Sequence, residues 1–425
     1  MVSANTRHGF CLATVAVGVS LIAAACGSSA ASTKSATSSP ATSTNAGSLP
    51  SGTPIVIGLA TPLTGGNPSE GKSEQAIAND AITAINQAGG IGGHPAKLVV
   101  RDTGGVSPTG AVSAFESLSA SGAKVVVGEW TSTNFQAACT VAEQQHVVLI
   151  GHASATDGLT TGKQYCFRNE YQVKQSTGAM FGLAKTKGWN PIAVAADTTA
   201  FGAAENDSWQ KEASTYGMKI ATDVTWSSPA STLTAQVLKI AHSGAKAVFV
   251  GSGSGPDVTL LAKTMVQLNV KLPIFGPGGV NAPGVATAAG AAYNALPGVY
   301  NITSYDSQVP KEAAFMSKLS TQTGISQGGG NPTRLWDAFE IAAKGLAKSH
   351  GQGGAPLVSA LDTLGKVPTL AGGPGTYVLY SSTHHSGLFG PNLLSIYKWS
   401  PTSTNFAYDS KASSQANASP GVNSN

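Results

Sequence analysis

From Pro54 to about residue 365 the chain alternates short runs of continuous apolar residues with longer stretches of helical period, and this alternation constrains its fold more than any other feature. The runs lie at 55–60, 97–101, 124–128, 147–151, 192–196, 219–226, 246–251, 273–276 and 297–301. Unbroken apolar runs suit parallel strands covered on both faces, whereas a strand with one wet face would alternate apolar and polar residues. Between them the spacing predicts helices over 71–88, 108–121, 134–145, 175–188, 203–216, 231–243, 257–269, 310–324, 332–349 and 355–365. In the first of these, Ala76, Ile77, Ala81, Ile82 and Ile85 share a face, and Gly89-Gly90 supplies the stop. Repeated strand–helix units imply an α/β fold of doubly wound, Rossmann-like parallel sheets with right-handed crossovers. A body running from about 54 to 410 exceeds what one core usually serves, so two such lobes are expected. Open α/β sheets bind ligands beyond the carboxyl ends of their strands, which places a ligand in the interlobe cleft.

Outside this body the composition changes. Arg7 and His8 precede an apolar stretch from Cys11 to Ala25, which ends in Ala23-Ala24-Ala25-Cys26-Gly27-Ser28. Small residues directly before a cysteine resemble a bacterial lipoprotein signal, in which residues 1–26 direct export and Cys26 carries the lipid; an ordinary signal peptide cut nearby is the other reading. Residues 27–53 are nearly all Ser, Thr, Ala, Gly, Asn and Pro, too poor in apolar side chains to offset the entropy of ordering, and read as a disordered tether. Residues 411–425 have a similar composition and the same expectation. No apolar run of 18 or more residues follows Cys26, so the body is expected outside the cytoplasm, held at the cell membrane by the lipid. In an oxidising compartment Cys139 and Cys166 would form a disulfide; two buried free thiols are the alternative.

Charged residues make up 11% of the chain and the formal charge is +4, with no basic stripe, which argues against nucleic acid as a partner. There is no Walker A sequence, His-Glu-x-x-His or Gly-x-Ser-x-Gly, and the eight histidines lack ligand spacing. An enzyme, a metal site and a cofactor are therefore not expected. Gly251-Ser252-Gly253-Ser254-Gly255 follows an apolar strand, but Pro256 stands where the last glycine of a dinucleotide fingerprint belongs. It reads as a tight turn that brings backbone near the cleft.

Ile55-Val56-Ile57-Gly58-Leu59-Ala60-Thr61-Pro62-Leu63-Thr64-Gly65, followed by a helix ending Ile85-Asn86-Gln87-Ala88-Gly89-Gly90-Ile91-Gly92-Gly93, resembles the opening of the branched-chain amino-acid (Leu/Ile/Val)-binding family of periplasmic binding proteins. The likeness continues through Val126-Val127-Gly128, Val148-Leu149-Ile150-Gly151, Cys166-Phe167-Arg168-Asn169, Ala200-Phe201-Gly202 and Phe275-Gly276-Pro277-Gly278-Gly279-Val280. The resemblance implies a type I periplasmic binding protein, with two lobes joined by three crossing strands near 168–172, 298–303 and 373–380. One lobe would comprise 54–168 plus 303–373 and the other 172–298 plus 380–410, closing on the ligand by a hinge.

The loop from Gly128 to Asn134 leaves a strand and opens a helix, where unpaired N–H groups and hydroxyls favour negative charge. The resemblance implies that Ser132 binds a ligand carboxylate with help from Ala153-Ser154-Ala155; alternatively Ser132 or Thr133 only caps the helix. Members that bind α-amino acids hold the ammonium with an acid at the position of Gly278. Here that acid is missing, Ala155 lacks the expected hydroxyl, with Thr156 next to it, and Phe201 replaces a tyrosine. Each change removes a hydrogen bond that a buried charge needs, so an ordinary branched-chain amino acid is disfavoured. Glu70, Glu129, Asp197 and Asp257 sit in loops at strand carboxyl ends, as contacts for a cationic or hydroxyl-bearing ligand or as solvated groups. Trp130 is either a stacking wall or a packing residue, while Trp209, Trp226 and Trp336 suit packing. The candidate ligand set is Glu70, Trp130, Ser132, Thr133, Ala153, Ser154, Phe201 and Gly278.

These readings point to a monomeric solute-binding component of an ABC importer, which captures a small polar molecule and docks with a membrane permease. A ligand sensor for amides or small acids on the same fold is the second reading.

Overall fold

The computed structural model describes residues 50–422, so the signal, Cys26 and the tether up to residue 49 lie outside the described residues. The first lobe starts β1 (Ile55–Thr61), α1 (Pro68–Gln87), β2 (Ala96–Asp102), α2 (Pro108–Ala120), β3 (Val125–Val127), α3 (Ser132–Gln145), β4 (Val148–Gly151) and β5 (Cys166–Arg168). Its five strands are parallel in the order β2-β1-β3-β4-β5. The chain then crosses and lays down α4 (Val173–Lys187), β6 (Ile192–Asp197), α5 (Ala200–Glu212), β7 (Ile220–Trp226), α6 (Thr234–Ala241), β8 (Val248–Gly251), α7 (Gly255–Gln267), β9 (Ile274–Gly276), α8 (Val285–Ala295) and β10 (Val299–Thr303). It returns to cover the first sheet with α9 (Pro310–Thr323), α10 (Asn331–Lys348) and α11 (Gly354–Asp362). Next come a small antiparallel sheet of β11 (Val367–Pro368), β12 (Tyr377–Val378) and β13 (Leu388–Phe389), then β14 (Ser395–Ser400), β15 (Asn405–Tyr408) and α12 (Ser410–Asn417). The second sheet runs β15-β14-β10-β9-β8-β6-β7, parallel from β7 to β10, with β14 and β15 added antiparallel at one edge.

Continuous apolar strands are needed because both faces of each sheet are covered. Ile57, Leu59, Val125, Val127 and Ile150 point into one core, whereas Ala60, Val126 and Leu149 point into another. In the second lobe Ile192, Val194 and Phe249 face one way, and Ala193, Ala195, Val248 and Val250 the other. Helix starts fall earlier than the apolar period predicts at α1 because Pro68 takes the first turn, where its missing N–H is no loss. Helix α8 escaped the pattern because Val285–Ala295 is mostly alanine and has no charged face to set a period.

Three expectations are corrected. Residues 411–425 were expected to be disordered, but Ser410–Asn417 form α12, capped by the Asp409 carboxylate on the Ala412 N–H at 2.9 Å. Ala412 and Ala416, one turn apart, are buried, and Val422 is fully buried with its carbonyl accepting from Gln175 Nε2 at 2.8 Å. The strap fits because α4 presents Gly178 and Gly182: a Cβ on Gly178 would stand 2.6 Å from the Pro420 carbonyl. The tether also ends before residue 53, since the Ser51 N–H donates to the Gly93 carbonyl at 3.0 Å. Finally, the third crossing lies later than 373–380. Arg168 exchanges backbone hydrogen bonds with His385 and Gly387, so this segment extends the edge of the first sheet, and the chain joins the second only at Ser395.

Candidate binding cleft

Loops leaving β3, β4, β6, β8 and β9 meet where the two lobes face each other, and they enclose a cavity of about 50 Å³. Three helices start at its edge, and each is capped from its own sequence: Thr131, Thr199 and Ser254 accept the N–H groups of Asn134, Gly202 and Asp257, each at 3.2 Å. Capping satisfies donors that would otherwise be offered to an anion.

One wall is a buried ion pair that the sequence reading missed. Arg334 of α10 reaches Glu170 of the crossing segment at 2.6 Å. It also donates to the His152 carbonyl at 2.8 Å, to the Ser304 hydroxyl at 2.5 Å and to Asn331 Oδ1, with the Tyr171 ring 5.6 Å away. Burial pushes the Glu170 carboxyl up to about 7, opposed by the two guanidinium groups of Arg334 and Arg168. The signal was available: the chain has four arginines, and two of them, Arg168 and Arg334, stand among residues that become fully buried. Asn301, a polar residue inside the apolar strand β10, was the other visible mark.

The candidate residues divide. Trp130, Ala153, Phe201 and Gly278 line the cavity. Gly278 has φ +51°, and a Cβ there would stand 3.3 Å from Phe201 Cε1, so the missing acid leaves bare backbone beside an aromatic ring. Glu70 lies instead at the cleft mouth between α1, α7 and α8, which Trp130 also borders. It accepts from Asn331 Nδ2 at 3.3 Å, and burial with the like charge of Glu74 raises its carboxyl to about 8.

Of the expected ligand contacts, Ser132, Thr133 and Ser154 do not line the cavity. Ser132 Oγ accepts the Thr156 N–H at 3.3 Å, and Ser154 Oγ donates to the Glu129 carbonyl at 3.3 Å. Thr133 Oγ1 accepts the Ala200 N–H at 2.9 Å across the lobes, and Thr156 Oγ1 donates to the Ala200 carbonyl at 3.0 Å. The oxygens of these hydroxyls thus take part in loop and lobe contacts, and the cap itself is Thr131.

Among the other acids, Asp197 lines the cavity, whereas Asp257 holds Trp226 Nε1 at 3.1 Å and the Ala230 N–H at 2.9 Å. Glu129 is fully buried, receives Asn134 Nδ2 at 3.2 Å on one oxygen, and is pushed to about 8 by burial. Beneath it Glu74 accepts from Thr61 Oγ1 at 2.6 Å and pairs with His152 Nε2 at 2.7 Å. Gly253 and Ser254 of the glycine-rich turn line the cavity. Cys139 of α3 is disulfide-bonded to Cys166 of β5, S–S 2.07 Å. This tie includes two of the three residues of the one metal-like grouping among the described residues, whose third member, Glu143, accepts the Tyr165 N–H at 2.6 Å.

A family model described as periplasmic binding protein matches residues 54–388. The leucine-, isoleucine-, valine-, threonine- and alanine-binding protein of Pseudomonas aeruginosa is 26% identical over 302 residues, covering 69% of this chain and 78% of its own. Among solved structures, the leucine-binding protein LivK of Thermotoga maritima superposes with a TM-score of 0.73 at 17% identity, covering 84% of this chain and 98% of its own. An ABC-transporter solute-binding protein of Rhodopseudomonas palustris in complex with 4-hydroxybenzoate gives 0.72 at 17% identity, covering 84% and 96%. At such identities the structural likeness establishes the fold: two α/β lobes of the type I binding-protein kind.

Proposed function

The chain belongs to the periplasmic binding protein family, and from that premise we propose that it is the extracytoplasmic solute-binding component of an ABC importer, taking a small polar molecule other than a standard branched-chain amino acid. The observation that carries the ligand reading is Gly278: where an acid would hold an α-ammonium group, the cavity has bare backbone next to Phe201. Ser132, Thr133 and Ser154 add to it, because none of them lines the cavity. The relatives support a transport role while leaving the ligand open, since the named ligands range from aliphatic amino acids to 4-hydroxybenzoate. Export by residues 1–26, lipid attachment at Cys26, a flexible tether and a monomeric body that catalyses nothing complete the proposal.

Isothermal titration of the purified body against amino acids, amides, amines, organic acids and polyols tests it. A ligand outside the branched-chain amino acids is expected, with compaction on binding seen by small-angle scattering. Tight leucine binding would overturn the reading of Gly278.

A further inference from the structure

Three residues that line the cavity each carry a buried polar atom with no hydrogen-bond partner: Trp130 Nε1 on the first lobe, and Asp197 Oδ2 and Asn301 Oδ1 on the second. These residues are 4%, 1% and 0% exposed, so no bulk water relieves them. A buried polar group left unpaired costs about 1–3 kcal/mol, and more when charged, so such atoms facing one cavity mark what a ligand must supply.

Charge decides the kind of ligand. The cavity lining holds two acids, Glu170 and Asp197, and one base, Arg334. Glu170 and Arg334 neutralise each other at 2.6 Å, and the guanidinium is further engaged by His152, Ser304 and Asn331. No lining cation is left for an anion, and at each of the three helix N-termini at the edge one N–H is capped internally. Asp197 remains. Its Oδ1 accepts from the Thr199 N–H at 3.0 Å and from the Thr199 hydroxyl. Burial raises the Asp197 carboxyl, opposed by the Thr199 and Ser252 hydroxyls, and a cation beside it would favour the ionised form. The Phe201 ring follows one turn along, beside the bare backbone of Gly278.

Resting on the reading of this cavity as the ligand site, we propose that the ligand is a small organic cation, a protonated amine without a carboxylate, whose N–H donors reach Asp197 Oδ2 while its alkyl part lies against Phe201 and Trp130. Asn301 Oδ1 offers a second acceptor along the same sheet edge, and Trp130 Nε1 a donor for a hydroxyl or second polar group. Rings flanking a cation add to its attraction. A carboxylate finds no free base in the lining, and the hydroxyls of Ser132, Thr133 and Ser154 stand outside it.

Titrating the full exported body with ethanolamine, putrescine and agmatine, each beside a neutral or acidic counterpart that lacks the amine (ethylene glycol, 1,4-butanediol, butyrate), tests the proposal. At least one amine is expected to bind 100-fold or more tightly than its counterparts, and Asp197→Asn is expected to weaken it at least tenfold while the unliganded melting temperature stays within a few degrees. If Asp197→Asn is poorly folded, Trp130→Phe, which removes only the indole donor, is titrated instead, and loss of amino-alcohol over alkylamine preference is expected. Binding of a diol or a carboxylate in preference to every amine overturns the cation assignment and leaves the solute-binding role intact. Failure of all six probes to bind overturns the cation assignment too, and the wider ligand screen then decides the role by itself.

Discussion

Glu129 shows how a single residue can work against the fold it sits in. Its side chain is fully buried, one carboxylate oxygen has no partner, and burial raises it to about 8. In the unfolded chain the same group titrates near pH 4.3. Between those values the native state holds a proton that the unfolded state has released, so stability falls as pH rises through that window. Glu129→Gln keeps the shape and removes the titration. It is expected to raise stability at pH 8 by roughly 2–4 kcal/mol and to leave it little changed at pH 4.5, measured by urea unfolding at both pH values. An equal effect at the two pH values would show that the carboxyl is ionised in the native protein.

At the scale of elements, the Cys139–Cys166 disulfide ties α3, whose capping residue Thr131 lines the cavity, to β5, which leads into the crossing segment with Glu170 and Tyr171. The bonded residues are 27 apart in sequence, and a cross-link closing a loop of that size stabilises by about 3–4 kcal/mol in the chain-entropy view. Cys139→Ala with Cys166→Ala is expected to lower the unfolding free energy by that order. Reduction of the native protein should match the double variant in denaturant titration; a stability unchanged by either would mean that packing around α3 and β5 suffices. Sequence reading left the bond open, because two cysteines 27 apart state nothing about the distance between them. It likewise missed α12, whose polar composition hides two buried alanines and becomes a helix only because β14 and α4 offer a surface for it.

For the whole molecule, the relevant quantity is the balance between open and closed lobes. Thr133 and Thr156 of the first lobe hold the Ala200 N–H and carbonyl of the second at 2.9 and 3.0 Å. Two such hydrogen bonds contribute about 2 kcal/mol together, enough to shift an open–closed equilibrium roughly thirtyfold. Replacing both threonines by valine is expected to enlarge the radius of gyration of the unliganded protein in small-angle scattering and to weaken its ligand by about tenfold or more. Unchanged scattering and affinity would assign these contacts no part in closure. The hinge near Arg168, with its buried guanidinium on Ser386 Oγ and the Ser154 and Thr156 carbonyls, remains intact in that variant.

Local pattern by itself determined the repeated strand–helix units, because unbroken apolar runs such as Val125–Val127 can be satisfied only between two helical layers. It also placed Trp130, and the family resemblance placed Ala153, Phe201 and Gly278, near the strand carboxyl ends, where the cavity lies. Only the tertiary structure decided which side chains line the cavity and which hydroxyls bind the protein, since Ser132, Thr133 and Ser154 find their partners 24, 67 and 25 residues away. The Arg334–Glu170 wall joins residues from α10 and the first crossing in the same way. Such pairs are set by where the lobes meet, and a hydrogen bond or an ion pair depends on distance in space, which the spacing of residues along the chain does not contain.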